Sequence, residues 1–478
     1  MNDRHASLYL VSRIFAAALN LISVAAFTRL APPAVFGDYL VGFATGFIVF
    51  GTAFQWLLHA HFGVYAPARA ARLAGALITL LGAVALPGLA LLIGVMTLGI
   101  VDIAQGFGIT ALVVGLVLHI AAIEIGRAHL LVGAVTAASL LRGLLMLGFG
   151  CAALLLMQDA TALLAAIGLA HLVAALPVLL TLRRTIWRAG FVPPQRVDIL
   201  DLLTYGWPLI LALMAGAISI NLDRIALSWW VGPGAVGPYG AVADIIRQSF
   251  VVLGEAIAAA YVSQAKAQMA DSTAARATLQ RAFVTLWVIV VFGVTGFALF
   301  GAGVIGMVLA PDYLDTALTA MPILVLGTAC LVLRAYYFGQ VIYFTGSARR
   351  EVQASVLMLV VAIIGCVTLV PAFGLLGAAA TFATTQAAGL SYFLWADRRS
   401  AIMPIDWRQG GIAIAAATGT CLIAFLAMLT LGGSLGWFAG LALTLAGSLA
   451  LAMAWNLFDL GRLAAYLLTR LAPSSRRS

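Results

Sequence analysis

Four arginines lie inside long apolar segments of the chain: Arg13, Arg142, Arg247 and Arg334. An arginine at the bilayer centre costs about 2.5–3.5 kcal/mol on insertion scales, so four that faced lipid would together cost roughly 10 kcal/mol. We therefore expect their guanidinium groups to face a protein interior or a water-filled cavity. A guanidinium binds anionic oxygens bidentately and stays charged at physiological pH, so such a cavity would suit an anionic cargo.

The segments around these arginines are typical of a helical membrane protein. Of the 478 residues, 64% are hydrophobic and 9% are charged, whereas soluble domains are about 45–50% apolar and about 25% charged. The net charge of +9 follows membrane topology and does not indicate a nucleic-acid partner. The four cysteines and six histidines show no metal-ligand spacing, so we expect neither a metal site nor a cofactor.

Hydropathy over a window of about 19 residues predicts about fourteen transmembrane helices. Most of the 26 Lys and Arg residues fall in alternate loops, and the intervening short loops carry mainly acids, namely Asp102, Asp159, Asp312 and Asp315. By the positive-inside rule, this alternation predicts an even number of spans with both termini in the cytoplasm.

Similar residues end the first and seventh spans and open the helices that follow them. Thr28-Arg29 precedes Phe36-Gly37-Asp38-Tyr39, and Asp223-Arg224 precedes Val236-Gly237-Pro238-Tyr239. Two similar halves six spans apart have the same orientation and imply pseudo-twofold symmetry about the membrane normal. The alternative is chance similarity between apolar segments of low complexity.

The repeat predicts an all-α polytopic fold with two pseudo-symmetric six-helix bundles around a central cavity, followed by two C-terminal helices. The predicted bundles are residues 1–190 and 191–400. Residues 401–478 would supply the two further transmembrane helices and a basic amphipathic tail, which we expect to lie on membrane lipids.

The same residues, together with Asn20 and the turn Pro371…Gly374-Leu375-Leu376-Gly377, resemble the Wzx-type flippases for O-antigen and exopolysaccharide. These belong to the multidrug/oligosaccharidyl-lipid/polysaccharide exporter superfamily. The resemblance implies a non-enzymatic protein of the bacterial inner membrane that moves undecaprenyl-pyrophosphate-linked oligosaccharide by alternating access for surface polysaccharide biosynthesis, including that of lipopolysaccharide. Its partners would be the lipid-linked oligosaccharide pyrophosphate, a polysaccharide polymerase and the chain-length machinery.

The lipid II flippases of the same superfamily look similar, with cavity arginines on their first, second and eighth helices. Arg13 and Arg247 fall on corresponding helices, but the second span of this chain has no deep arginine. The candidate substrate-binding residues are Arg13, Arg142, Arg247, Arg334, Asn20 and Arg224. Alternatives remain for several of them. Asp244 and Arg247 are three residues apart and could form an ion pair that only stabilises packing. Arg13 and Arg334 could instead extend to the inner membrane surface. Arg142 could serve helix packing.

Three carboxylates, Asp223, Asp244 and Glu255, are candidates for coupling transport to H⁺ or Na⁺, because a carboxylate in a cavity can exchange its proton as the cavity opens and closes. The alternative is that they are fixed partners of arginines. The sequence has no P-loop for direct ATP coupling. Besides a lipid II-type flippase, a small-molecule exporter of the superfamily is a competing function. A membrane polysaccharide polymerase or ligase is less consistent with the sequence, because such enzymes use a large outward loop.

Overall fold

The computed structural model describes residues 3–98, 102–185, 187–188, 192–345 and 349–457, without the side chains of residues 3–14, 91, 92 and 95. Within these ranges the chain forms helices and no strand. The α-helices are α1 (Asp3–Leu30), α2 (Pro33–Ala53), α3 (Gln55–Val64), α4 (Ala70–Thr97), α5 (Ile103–Ala128), α6 (Val132–Met157), α7 (Ala160–Thr185), α8 (Arg196–Trp230), α9 (Pro233–Ile257), α10 (Ser263–Ala267), α11 (Ser272–Val308), α12 (Pro311–Tyr336), α13 (Ile342–Thr345), α14 (Arg349–Asp397), α15 (Trp407–Leu431) and α16 (Gly433–Ala454).

Among the described residues, twelve helical segments are long and apolar enough to cross a membrane. One of them is α14, whose 49 residues are interrupted at Gly374 with φ 54° and ψ −122°. This left-handed conformation is one that glycine adopts readily, and the break divides α14 into two segments, which the count of about fourteen spans treats as separate helices. The prediction of an all-α polytopic membrane protein is confirmed.

Helix starts follow from proline and aspartate. Pro33 and Pro233 occupy the first positions of α2 and α9, where a missing N–H has no helical partner to lose. Asp102 accepts a hydrogen bond from the Ala104 N–H at the start of α5. Asp159 accepts one from the Ala162 N–H at the start of α7. Two acids of the predicted outward loops therefore cap helices.

By their contacts, the helices divide into two compact units. The first consists of Met1–Gln248, Ile305–Gly327 and Ala348–Gly389; the second consists of Ser249–Val304, Thr328–Ser347 and Leu390–Ser478. The predicted bundles at 1–190 and 191–400 stay a prediction.

In the first unit, close backbone contacts between glycines hold α5 against α7. A Cβ at Gly115 would overlap the Gly168 carbonyl oxygen, and a Cβ at Gly168 would overlap the Ala111 carbonyl oxygen. Small residues that let helix backbones approach in this way are common at helix interfaces in membranes. The helix pair α2 and α3 also packs along α8.

In the second unit, α15 and α16 form a hairpin around small residues. Gly440 lies against Ala424 and Met428 of α15, and the Trp287 indole of α11 donates to the Gly410 carbonyl oxygen at 3.1 Å. The two predicted C-terminal helices are therefore present and pack on this unit. The predicted basic tail falls at residues 458–478, which lie outside the described residues.

Candidate functional site

The elbow between α8 and α9 brings four charged side chains together. Asp223 and Arg224 lie near the end of α8, and Asp244 and Arg247 lie on α9, which begins after a turn of two residues. Asp244 and Arg247 are three residues apart and therefore share a helix face. We call these four residues the elbow cluster.

One carboxylate of the elbow cluster serves two guanidinium groups. Arg224 Nη2 lies 2.5 Å from Asp244 Oδ1, and Arg247 Nη2 lies 2.7 Å from the same oxygen. The side chain of Arg224 is 5% exposed, whereas those of Arg247 and Asp244 are 26% and 32% exposed. Arg224 is thus fixed inside the protein, and Arg247 presents the accessible positive charge.

The two oxygens of the Asp223 carboxylate have different surroundings. Its Oδ2 accepts from the Tyr239 hydroxyl at 2.5 Å, while its Oδ1 is buried and has no partner among the described residues. Asp223 also interacts electrostatically with Arg224 and Arg247. With Asp223 ionised, the two arginines and two aspartates sum to zero charge; with a proton or cation on Asp223, one positive charge remains.

Near the starts of α2 and α9, the backbones of these two helices are in direct contact. A Cβ at Gly37 would overlap the Pro233 carbonyl oxygen, and a Cβ at Gly237 would overlap the Pro33 carbonyl oxygen. The contact is reciprocal, as a pseudo-twofold relation between the two helices requires. We call it the glycine contact. Gly237 precedes Asp244 by two helical turns, roughly 10 Å along α9.

The same end of the first unit has two further links. The Tyr313 hydroxyl donates to the Ala31 carbonyl oxygen at 2.7 Å. Arg29 donates to the carbonyl oxygens of Met307, at 3.0 Å, and Val308, at 2.5 Å, which lie at the end of α11. A cation at a helix C-terminus is favourable to the helix dipole, so Arg29 has a structural role.

The remaining candidates lie away from these contacts or outside the described side chains. The Arg13 side chain lies outside them, and Asn20 is half-buried. Arg142 lies on α6 with Nη1 3.6 Å from Met146 Sδ, and within the described residues no hydrogen bond or ion pair joins Arg142 to the elbow cluster.

Arg334 and Glu255 belong to the second unit. Arg334 is buried, and Glu255 Oε1 accepts from the Tyr336 hydroxyl at 3.5 Å. Close to them, α9 continues into a π-helical turn at Ala258–Val262, and α12 gives way to a 3₁₀ turn at Phe338–Val341. Irregular turns of this kind are frequent at functional sites.

Sequence reasoning missed the role of Tyr239. It belongs to the repeated motif, but its bond to Asp223 joins residues sixteen positions apart.

Two basic residues of a predicted cytoplasmic loop also have partners that the sequence does not indicate. Arg69 pairs with Asp201 at 2.7 Å, and Arg72 lies 3.5 Å from Asp198. Both acids lie in the first turns of α8, which the sequence alone does not bring near α4.

The second unit contains an apolar cavity of about 640 Å³, lined by aromatic and aliphatic side chains of α9, α11 and α16, among them Phe250, Phe292, Phe297, Phe300, Leu441 and Leu445. The lining hydroxyls of Thr285 and Thr444 donate to carbonyl oxygens of their own helices, at 2.7 Å and 3.1 Å. The cavity therefore offers little hydrogen bonding and suits an apolar occupant.

No protein-family model and no curated protein matches the sequence. Solved structures resemble the fold. Lipid II flippase MurJ in an inward closed conformation superposes with a TM-score of 0.73 at 10% identity, over 94% of this chain and 98% of that one. An inward-facing multidrug resistance MATE family transporter of the MOP superfamily gives 0.51 at 18% identity, over 87% and 96%. The MATE multidrug transporter DinF-BH gives 0.55 at 14% identity, over 84% and 97%. The chain has the fold that these membrane proteins share.

Proposed function

We propose that the protein is a flippase that moves undecaprenyl-pyrophosphate-linked oligosaccharide across the bacterial inner membrane by alternating access. The observation that carries the proposal is the elbow cluster, in which two arginines share one aspartate. Arg247, the more accessible of the two, would offer a permanently charged guanidinium to a pyrophosphate, which carries two or more negative charges. The protein would supply binding and movement, without covalent chemistry.

The apolar cavity of the second unit supports a lipid-linked cargo. Its volume of about 640 Å³ falls in the range of small-molecule pockets, about 300–1,000 Å³. Because its threonine hydroxyls bond to their own helices, it would hold part of a polyprenyl chain and not a sugar. The lipid would thus contact α9 and α16 through its tail.

The glycine contact supports alternating access. If the termini are cytoplasmic, as the positive-inside rule predicts, the starts of α2 and α9 lie at the outer face. Two helix ends in backbone contact there would close the outer path, and their separation would open it. A contact without interlocking side chains can separate without breaking ion pairs.

Asp223 gives the proposal a coupling step. A proton or Na⁺ on Asp223 leaves one uncompensated positive charge on the elbow cluster, which favours binding of the pyrophosphate. Loss of that cation restores neutrality and favours release. Asp244 has a different role, because it is the shared partner of two arginines.

A lipid II-type flippase is the second candidate, favoured by the fold similarity to MurJ over 94% of the chain. A cationic-drug exporter is less favoured, since an accessible Arg247 would repel a cation. A polymerase and chain-length proteins are the partners that the oligosaccharide role would require.

The test is reconstitution of the purified protein in proteoliposomes with three labelled cargoes: undecaprenyl-pyrophosphate oligosaccharide, lipid II and a cationic dye. We expect the oligosaccharide lipid to cross fastest, and Arg247→Ala to abolish its movement. Preferred movement of lipid II would select the second candidate. Movement of the dye alone would overturn the proposal.

A further inference from the structure

The connection between α14 and α15 carries three arginines and two tryptophans on the surface of the second unit. Arg398 and Arg399 follow the end of α14, and Arg408 lies in the first turn of α15. All three arginines are exposed. Trp395 and Trp407 are 59% and 76% exposed. We call these five residues the loop patch.

The loop patch lies where two candidate membrane spans end. The segments Arg349–Asp397 and Trp407–Leu431 are both long and apolar enough to cross a membrane, so the residues between them meet the membrane–water interface. The positive-inside rule predicts that this interface is the cytoplasmic one. Tryptophans are enriched at such interfaces, and the anionic lipids of the cytoplasmic leaflet attract arginines placed there.

Hydrogen bonds fix the shape of the connection. The buried Asp397 accepts through Oδ2 from the Met403 N–H at 2.9 Å, which folds the chain back toward the end of α14. The Tyr337 hydroxyl donates to the Pro404 carbonyl oxygen at 2.5 Å. Four residues separate Met403 from Trp407, which limits the distance between them to at most roughly 14 Å. The loop patch is therefore presented on a preformed scaffold, which lowers the entropy cost of binding a ligand.

The arginines of the loop patch differ from other basic residues of the predicted cytoplasmic loops. Arg69 and Arg127 pair with carboxylates at 2.7 Å and 2.9 Å, and Arg72 lies 3.5 Å from a carboxylate oxygen. Within the part of the chain that the structure describes, the arginines of the loop patch form no ion pair. Their charges are thus available to an external anion.

The two acids of the same segment bond to the backbone. Asp397 accepts from loop N–H groups, and Asp406 Oδ1 accepts from the Gln409 N–H at 3.0 Å. The Arg398 guanidinium carbon lies 5.2 Å from the centroid of the Trp395 ring, a distance suited to a cation–π contact. The acids therefore stabilise the connection, and a tryptophan orients one of the arginines.

From these observations we propose that the loop patch binds the headgroup of an anionic glycerophospholipid, such as phosphatidylglycerol, in the cytoplasmic leaflet. The guanidinium groups of Arg399 and Arg408 would bind the phosphate oxygens. The two tryptophans would lie beside the glycerol and the first acyl carbons, because an indole has an apolar body and a polar N–H. A zwitterionic phosphatidylcholine would bind more weakly, since its choline group offsets the phosphate charge.

This lipid is a bound component of the protein and not its cargo. No residue of the loop patch belongs to the elbow cluster, so lipid binding here is independent of the proposed transport function. A failure of either proposal would leave the other standing.

The test is native mass spectrometry of the full-length protein in detergent with added phosphatidylglycerol or phosphatidylcholine. We expect the wild type to retain phosphatidylglycerol preferentially. Arg399→Gln/Arg408→Gln should lower that retention by about tenfold or more, because each arginine near an anionic lipid surface contributes to binding. Arg183→Gln/Arg184→Gln is the matched control, since it removes two exposed arginines from the last turn of α7, and its retention should equal that of the wild type.

A second measurement does not depend on a variant that folds. Cryo-electron microscopy of the wild type in phosphatidylglycerol nanodiscs should show headgroup density beside Arg399 and Arg408. Excess inorganic phosphate at constant ionic strength should leave lipid retention unchanged. Equal retention of the two lipids, the same loss in the control variant, displacement by inorganic phosphate, or absence of density at this position would each overturn the proposal.

Discussion

The turn between α1 and α2 and the turn between α8 and α9 are the two helix elbows of the first unit. They share the same pattern of helix ends, prolines and glycines, but they carry different charged side chains. The helix α1 ends at Leu30 and α8 ends at Trp230, while α2 begins at Pro33 and α9 begins at Pro233. Gly37 and Gly237, and likewise Tyr39 and Tyr239, stand 200 positions apart. At this spacing of 200, the positions of the elbow cluster, Asp223, Arg224, Asp244 and Arg247, correspond to Ser23, Val24, Ala44 and Phe47, and Thr28-Arg29 does not correspond to Asp223-Arg224.

This comparison separates the roles of shape and charge. The shared proline, glycine and tyrosine build a turn that lets two helices meet backbone to backbone. The charges stand on α8 and α9, on one side of the pseudo-twofold relation, and α2 adjoins them through Tyr39, which interacts electrostatically with Asp244 and Arg224. In the proposed mechanism, the symmetric helix ends would move, and the charges at the turn between α8 and α9 would bind the cargo.

The largest effect is expected from the charge itself. Arg247→Ala should lower flipping of a pyrophosphate lipid at least tenfold, because a hydrogen bond to a charged group contributes about 1.5–3 kcal/mol. Phe47→Ala removes the corresponding side chain of the first elbow and should stay within about threefold of the wild type. Initial rates in proteoliposomes measure both. Equal losses in the two variants would mean that charge is not what distinguishes the elbows.

The next effect tests the shared backbone plan. Gly37→Val and Gly237→Val should each push α2 and α9 apart, since the added Cβ would overlap a carbonyl oxygen of the other helix. With spin labels at positions 34 and 234, in a variant that lacks the native cysteines, double electron–electron resonance should report a longer distance between the two labels. Gly216→Ala is the control, because nothing lies within 4 Å of its added Cβ. An unchanged distance in both valine variants would refute the glycine contact.

A smaller effect is expected from the residue that sets the cluster charge. Asp223→Asn fixes this position as uncharged, so flipping should lose most of its stimulation by an imposed proton or sodium gradient. Transport without a gradient should persist, because Arg224 and Arg247 keep Asp244 as partner. Ser23→Ala at the corresponding position should keep the stimulation. Full gradient dependence in Asp223→Asn would move the coupling site elsewhere, with Glu255 the next residue to test.

The smallest effect separates the two tyrosines. Tyr239→Phe removes the donor to Asp223 Oδ2, which should destabilise the protein by about 0.5–1.5 kcal/mol and shift the ion concentration that gives half-maximal stimulation. Tyr39→Phe should shift that concentration less, because Tyr39 interacts electrostatically with Asp244 and Arg224 but, in the described structure, donates no hydrogen bond to Asp223. Ion titrations of the flipping rate compare the two variants. Equal shifts would mean that both tyrosines act through packing.

Sequence patterns predict the fold well, because a segment that crosses the lipid bilayer must be a long apolar helix. Long apolar runs and alternating basic loops are enough for the spans, and the break at Gly374 follows from a residue that tolerates a positive φ. The repeated elbow is also visible, since its prolines and glycines serve a local turn. These features depend on residues that are close along the chain.

The site is only partly predictable for the opposite reason. The spacing of Asp244 and Arg247 predicts their pairing, but the sharing of Asp244 with Arg224 depends on how α8 and α9 cross. Likewise, the bond from Tyr239 to Asp223 and the pairing of Arg72 with Asp198 join separate helices. Hydropathy gives no information about which faces of two apolar helices meet, so these contacts require the structure.

The central claim is that the elbow cluster binds a pyrophosphate when Asp223 carries no net charge. The most direct measurement is the affinity of the purified protein for farnesyl pyrophosphate, by isothermal titration, in the wild type, Arg247→Ala and Asp223→Asn. The account predicts binding at least tenfold weaker in Arg247→Ala and as tight or tighter in Asp223→Asn. An unchanged affinity in Arg247→Ala together with weaker binding in Asp223→Asn would contradict it.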